Sequence, residues 1–90
     1  MLKYAGTAFW ETQVATMNFL ITGAAGFLGS ALSNRLAAKG HSVRGMDDLS
    51  TGDSEALSPE VLFTRADVND RPRLWTLLQN IDCVYHLAAR

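Results

Sequence analysis

What this sequence lacks narrows its possibilities before any motif is considered. Cys83 is the one cysteine in 90 residues, so no internal disulfide can form, and the chain suits a reducing, cytoplasmic compartment. No apolar run approaches the roughly 18 residues that a bilayer crossing requires, which argues against a membrane span. A signal peptide would need a longer unbroken apolar region than the patch from Tyr4 to Trp10, which Glu11 interrupts. Neither sign of charge dominates: 8 Lys and Arg stand against 9 Asp and Glu, and a net charge of −1 gives no reason to expect nucleic acid as a partner. Apolar residues are not scarce enough for disorder, at 48% of the chain. No metal site is expected. What remains is a small, ordinary globular chain.

The first sixteen residues, MLKYAGTAFWETQVAT, differ in character from the rest of the chain. The plainer reading makes them an extension upstream of Met17, outside the fold; the alternative is a docking arm that packs through Phe9 and Trp10. From Met17 to Arg90 the pattern is regular. Asn18 to Thr22 is a short apolar run of the kind that suits a strand buried on both faces. Phe27 to Lys39 places Leu28, Leu32 and Leu36 along one helical face beside Ala31, leaving Ser30, Ser33, Asn34 and Arg35 mostly outside it, and Gly40 ends the helix. His41 to Asp47 reads as a second strand, Asp48 to Pro59 as a loop, and Val61 to Thr64 as a third strand. Asn69 or Asp70 caps a second helix with Pro72 in its first turn, presenting Leu74, Leu77, Leu78 and Ile81. Asp82 to Leu87 reads as a fourth strand. The order β-α-β-β-α-β predicts an α/β, Rossmann-like, doubly wound parallel sheet of about four strands and two to three helices, with the Asp48–Pro59 link serving as a crossover.

Gly23, Gly26 and Gly29 lie three apart between the first strand and the first helix. The spacing departs from G-x-G-x-x-G, because Ala25 stands where the middle glycine would be. The physical tasks are still assignable. Gly23 permits the sharp turn off the strand, Gly26 lets backbone approach a pyrophosphate, and Gly29 lets the helix lie against the sheet. No Ser, Thr, Asp or Asn stands between Gly23 and Phe27, so an anion or water must satisfy the first helical N–H groups. Asp47 ends the second strand, 24 residues after Gly23, at the place where a carboxylate accepts hydrogen bonds from an adenosine ribose. Asp47, Asp48, Asp53, Glu55 and Glu60 would repel a 2′-phosphate, which favours NAD over NADP, with Arg44 the nearest cation to oppose them.

With these residues in view, MNFLITGAAGFLGSALSNRLAAKGHSVRGMDDLSTG resembles the N-terminal signature of the extended short-chain dehydrogenases/reductases. Within them it is similar to the NAD-dependent epimerase/dehydratase group acting on nucleotide sugars. The later DVND and VYHLAA match the same group, and the resemblance runs from Met17 to Arg90. It implies that Phe27 and Leu28 offer backbone N–H groups to the pyrophosphate, and that Asp47 holds the ribose. Asp48, Leu49, Ser50, Thr51 and Gly52 would wrap the adenine end, with Asp48 standing where many relatives carry asparagine. Asp67 and Val68 would touch the adenine ring, the Asp67 carboxylate accepting from its exocyclic amine. Leu87, Ala88 and Ala89 would pass under the middle of the cofactor.

The resemblance also implies a catalytic Tyr-x-x-x-Lys, and this chain has none: Tyr85 is followed four residues on by Ala89. No catalytic residue is therefore assigned. His86, Cys83, Trp75 and Tyr85 are read as core or near-core residues. Residues 17–90 are expected to be the N-terminal, adenosine-binding portion of a dinucleotide-binding domain, incomplete at its C-terminus. A nucleotide-sugar substrate then belongs to a full-length parent, and the short chain is inactive alone. A stand-alone nucleotide-binding module and a fragment of an NADP-dependent reductase of the same superfamily are the alternatives.

Overall fold

The computed structural model describes residues 16–50 and 52–88. The expectations for the first fifteen residues, Thr51 and Ala89 lie outside the described residues. The chain forms β1 (Asn18–Thr22), α1 (Phe27–Ala38), β2 (Ser42–Asp47), β3 (Leu62–Arg65), α2 (Arg71–Leu77) and β4 (Cys83–His86), with a short 3₁₀ turn at Ser54–Ala56. The strands run in the order β3-β2-β1-β4 and every pairing is parallel. This is the Rossmann-like α/β arrangement predicted from the order of elements, with the 48–61 link completing the β2–β3 crossover.

The central strands owe their place to apolar residues on both faces. Phe19, Ile21 and Val43 form one core with Ala24 and Val61, against which Leu32, Leu36 and Ala37 of α1 pack. Leu20 and Met46, out of phase with that set, are fully buried on the other face. Arg44 shares this second face. Its Nη1 donates to the carbonyls of Leu77 and Gln79 at 2.9 and 2.8 Å and so holds the C-terminal end of α2 there. The two helices therefore cover opposite faces.

Helix α1 begins at Gly26 without a side-chain cap. It ends in a Schellman turn at Gly40 (φ +93°), where His41 N donates to Leu36 O at 3.2 Å and Gly40 N to Ala37 O at 3.0 Å. Its inner face is rotated from the one the leucine spacing predicts. Gly29 and Ser33 are its buried residues, whereas Leu28 is 67% exposed. The cause is the close passage of Gly29 over Gly23, which turns the i, i+4 line from Gly29 to Ser33 inward.

Three expectations for the second half need correction. Helix α2, capped by Asp70 at Arg73 N, stops at Leu77 and does not reach Ile81, because Asn80 takes a left-handed φ of +63° and turns the chain. Trp75 is 69% exposed and forms no part of the core. Tyr85 and His86 are exposed as well, since β4 is an edge strand. The Tyr85 ring still stacks on Phe19 at 6.0 Å between centroids.

Candidate functional site

Parallel strands all point their C-terminal ends the same way, and the segments leaving them enclose one cleft of about 150 Å³. Gly23 and Gly26 enter it from β1; Met46, Asp47, Asp48 and Ser50 from β2; Ala66, Asp67 and Val68 from β3; Leu87 and Ala88 from β4. In doubly wound sheets ligands bind in this position, outside the strand ends where the winding reverses. Here the reversal lies between β1 and β4.

The three glycines answer to different demands. Gly23 has φ +73°, and a Cβ on it would stand 2.7 Å from Ala88 N and from the Leu87 carbonyl carbon. A Cβ on Gly29 would lie 2.0 Å from Gly23 O. Both are required by the packing of the chain on itself. Gly26 is not: its φ is −75°, and an added Cβ would approach only Gly23 O, at 3.4 Å. The bare backbone at Gly26 leaves space on the cleft side, at the uncapped positive end of α1. That combination fits a phosphate. Phe27 and Leu28 are 88% and 67% exposed, so what they can offer an anion there is backbone N–H.

Asp47 is held in one orientation by the backbone around it. Its Oδ2 accepts from Ala25 N at 2.9 Å and its Oδ1 from Leu49 N at 2.8 Å. A carboxylate has about four lone-pair sites, so acceptor capacity remains for ligand hydroxyls. The carbonyl of Met46, one residue earlier, accepts from Gly23 N at 2.8 Å and Ala24 N at 3.2 Å, clamping the glycine loop to the end of β2. Beyond Asp47, Leu49 adopts a left-handed φ of +64°, and Asp48 Oδ1 accepts from Ser50 N at 2.9 Å. On the far wall, Asp67 Oδ1 accepts from Asn69 N at 2.9 Å and sets the turn into α2.

The cleft thus brings together Gly23, Gly26, Asp47, Asp48, Ser50, Asp67, Val68, Leu87 and Ala88 from the residues named by sequence. Phe27, Leu28 and Gly29 begin the helix beside it, and Leu49 shapes the acidic turn. Gly52 serves packing: a Cβ there would meet Ala25 O at 2.5 Å, and Asp53 N donates to the same carbonyl at 3.1 Å. Met46 and Ala66 line the cleft without having been named. Each directly precedes an aspartate at a strand end, and that adjacency is the signal that would have found them. Among the described residues no group of three His, Cys, Asp or Glu is placed to hold a metal ion. No described helix is long and apolar enough to cross a membrane.

Comparison with known proteins agrees with this geometry. The UDP-glucose 4-epimerase of Mycolicibacterium smegmatis is 44% identical over 80 residues, a match covering 82% of this chain and 26% of that protein. The solved UDP-glucose 4-epimerase of Thermotoga maritima, with UDP-glucose, superposes with a TM-score of 0.78 at 36% identity, covering 82% of this chain and 25% of that one. The Thermus thermophilus enzyme in complex with NAD gives 0.74 at 36% identity, over 82% and 24%. The chain therefore spans about a quarter of the length of the relatives it matches. A sequence model of the NAD dependent epimerase/dehydratase family matches residues 19–90, from β1 through the whole of the cleft. On the strength of that match, this chain belongs to the NAD dependent epimerase/dehydratase family.

Proposed function

We propose that the cleft holds the adenosine diphosphate part of NAD, and that residues 17–90 are the N-terminal, cofactor-binding portion of a nucleotide-sugar epimerase or dehydratase. Residues 1–16 are then an extension to that portion. The observation that carries this reading is the meeting, on one cleft, of an uncapped helix end at a glycine the fold does not itself require and a carboxylate fixed beside it. Backbone N–H groups of Phe27 and Leu28 receive the pyrophosphate, and Gly26 lets it come close. Asp47 accepts from the ribose hydroxyls, with Asp48 to Gly52, Thr51 included, along the adenine end. Asp67 accepts from the exocyclic amine, Val68 packs beside the ring, and Leu87, Ala88 and Ala89 run beneath the middle of the cofactor.

NAD is preferred to NADP because a 2′-phosphate would meet Asp47 and Asp48 at close range. Arg44, the cation nearest them in sequence, is engaged by the C-terminal end of α2 on the opposite face of the sheet. Bound in a full-length enzyme, NAD would supply reversible hydride acceptance at a sugar carbon. A nucleotide sugar is the substrate of that longer protein, and a cytoplasmic location accompanies an intracellular cofactor. This chain holds no Tyr-x-x-x-Lys, so it is expected to bind without turning substrate over.

Gly26→Asp tests the reading with folding controlled for. Aspartate is a good N-cap residue, so the variant should fold with an unchanged or slightly raised Tm. Its carboxylate would occupy the phosphate position, and calorimetric titration with ADP-ribose should show at least about a tenfold loss of affinity, equivalent to about 1.4 kcal/mol. Titrations of the unmodified chain with NAD and NADP rank the two cofactors. Equal affinity of Gly26→Asp and the unmodified chain for ADP-ribose would remove the glycine loop from the account.

A further inference from the structure

We infer that His86 is a positioning residue for the nucleotide cleft, acting through the buried hydroxyl of Thr22 on the backbone of Ala88; this rests on the cofactor reading above. Thr22, the last residue of β1, is only 2% exposed. Its Oγ1 lies 2.7 Å from Nδ1 of His86, its register partner on β4, and Ala88 N donates to the same oxygen at 3.4 Å. In the main chain, Leu87 N donates to Thr22 O at 3.0 Å. The next residue, Gly23, runs so close to Leu87 and Ala88 that a single methyl group would not fit between them. The segment that His86 and Thr22 hold is therefore the one that lines the cleft from β4.

A threonine hydroxyl has one proton and two lone pairs. If the proton is directed to His86 Nδ1, a lone pair is left to face Ala88 N–H, and the imidazole carries its own proton on Nε2. The contact to Ala88 is long, so by itself it fixes the rotor weakly; the short bond to His86 is what sets it. Exposure of His86 excludes packing in the core. Its ring works as the outer partner of a buried hydroxyl. Loss of that partner loosens Leu87 and Ala88 where a bound pyrophosphate would pass.

The experiment titrates the 90-residue chain with ADP and follows the amides by NMR. His86→Leu should weaken ADP binding by about three- to tenfold, the span of one hydrogen bond, and shift the Ala88 amide resonance. Thr22→Val should do the same, and adding His86→Leu to Thr22→Val should weaken binding no further. His86→Asn, whose side-chain oxygen can stand near the Nδ1 position, should restore affinity to within about twofold of the unmodified chain. In the unmodified chain the His86 Nδ1 nitrogen should show the shift of an unprotonated acceptor, and Thr22→Val should alter it. The assignment is overturned if His86→Leu leaves affinity intact, if its effect is the same with and without the Thr22 hydroxyl, or if asparagine fails as badly as leucine. Should the unmodified chain bind no ADP, the cofactor reading itself falls; binding that is indifferent to His86 refutes only the positioning role.

Discussion

The two halves of the sheet are built to different standards. In the half made by β1, the glycine loop, α1 and β2, Leu20, Ile21, Ala24, Val43 and Met46 are 1% exposed or less. In the half made by β3, α2 and β4 no residue of any element is fully buried, and Leu62 and Trp75 are 65% and 69% exposed. The difference reaches the cleft. Asp47 and Met46 are bonded to the glycine loop within the first half, so the glycines and the carboxylate fix one another. The cleft residues of the second half are placed by reaching back: Ala66 N donates to Asp47 O and Leu87 N to Thr22 O, both at 3.0 Å. The end of the cleft made by the glycine loop and Asp47 is thus self-supporting, while the residues after β3 and β4 take their positions from it.

Register partners give the sharpest way to break this comparison. Leu20 and Val84 face each other across β1 and β4, yet Leu20 is wholly buried and Val84 is 45% exposed. Leu20→Ala removes buried methyl groups from a strand with neighbours on both sides and should cost about 3 kcal/mol. Val84→Ala should cost less than about 1 kcal/mol, since much of its surface already meets water. Urea denaturation of the two variants measures both, through shifts in midpoint at constant slope. Similar losses would mean that β4 is buried in solution and that the two halves are not distinct.

A smaller effect is expected from Arg44, the tether between the halves. Its guanidinium donates to two carbonyls at the end of α2, and charged donors make the stronger hydrogen bonds. Arg44→Met keeps the apolar stem and removes the donors, at an expected cost of about 1 to 2 kcal/mol. Hydrogen exchange should show where the cost falls. Amides of α2 should lose protection while those of β1 keep theirs, because the first half does not depend on the tether. Uniform loss across the sheet would show one cooperative unit instead.

The same division explains what could be read from sequence. β1, the three glycines, Gly40 and Asp47 were legible because each rests on a local signal: an apolar run, a fixed spacing, a positive φ, a strand-end carboxylate. The expected burial of Trp75, Tyr85 and His86 failed because an apolar or aromatic residue is buried only where something covers it. That depends on the sheet order and on β4 standing at an edge, neither of which is written locally. The end of α2 was a different failure. Leucine periodicity carried the helix on to Ile81, although Asn80, a residue tolerant of left-handed φ, was there to stop it. In the cleft, Met46 and Ala66 were passed over because their side chains suggest no chemistry; they line it through their place before Asp47 and Asp67.

The smallest expected change has the opposite sign and lies in the well-packed half. Ser33 is fully buried in α1, and its Oγ has no hydrogen-bond partner among the described residues. A hydroxyl deprived of water without a replacement bond is destabilising, and serine is also a poorer helix former than alanine. Ser33→Ala should therefore raise stability by about 1 kcal/mol, which for a domain of this size is a Tm increase of about 4 to 8 °C. The gain should come without loss of ADP-ribose affinity, because Ser33 lies one turn beyond Gly29, outside the cleft. A lower Tm would show that the hydroxyl is bonded after all. The inner face of α1 would then be held by a polar contact as well as by the close fit of Gly29 over Gly23, and the first half would owe less of its stability to apolar packing.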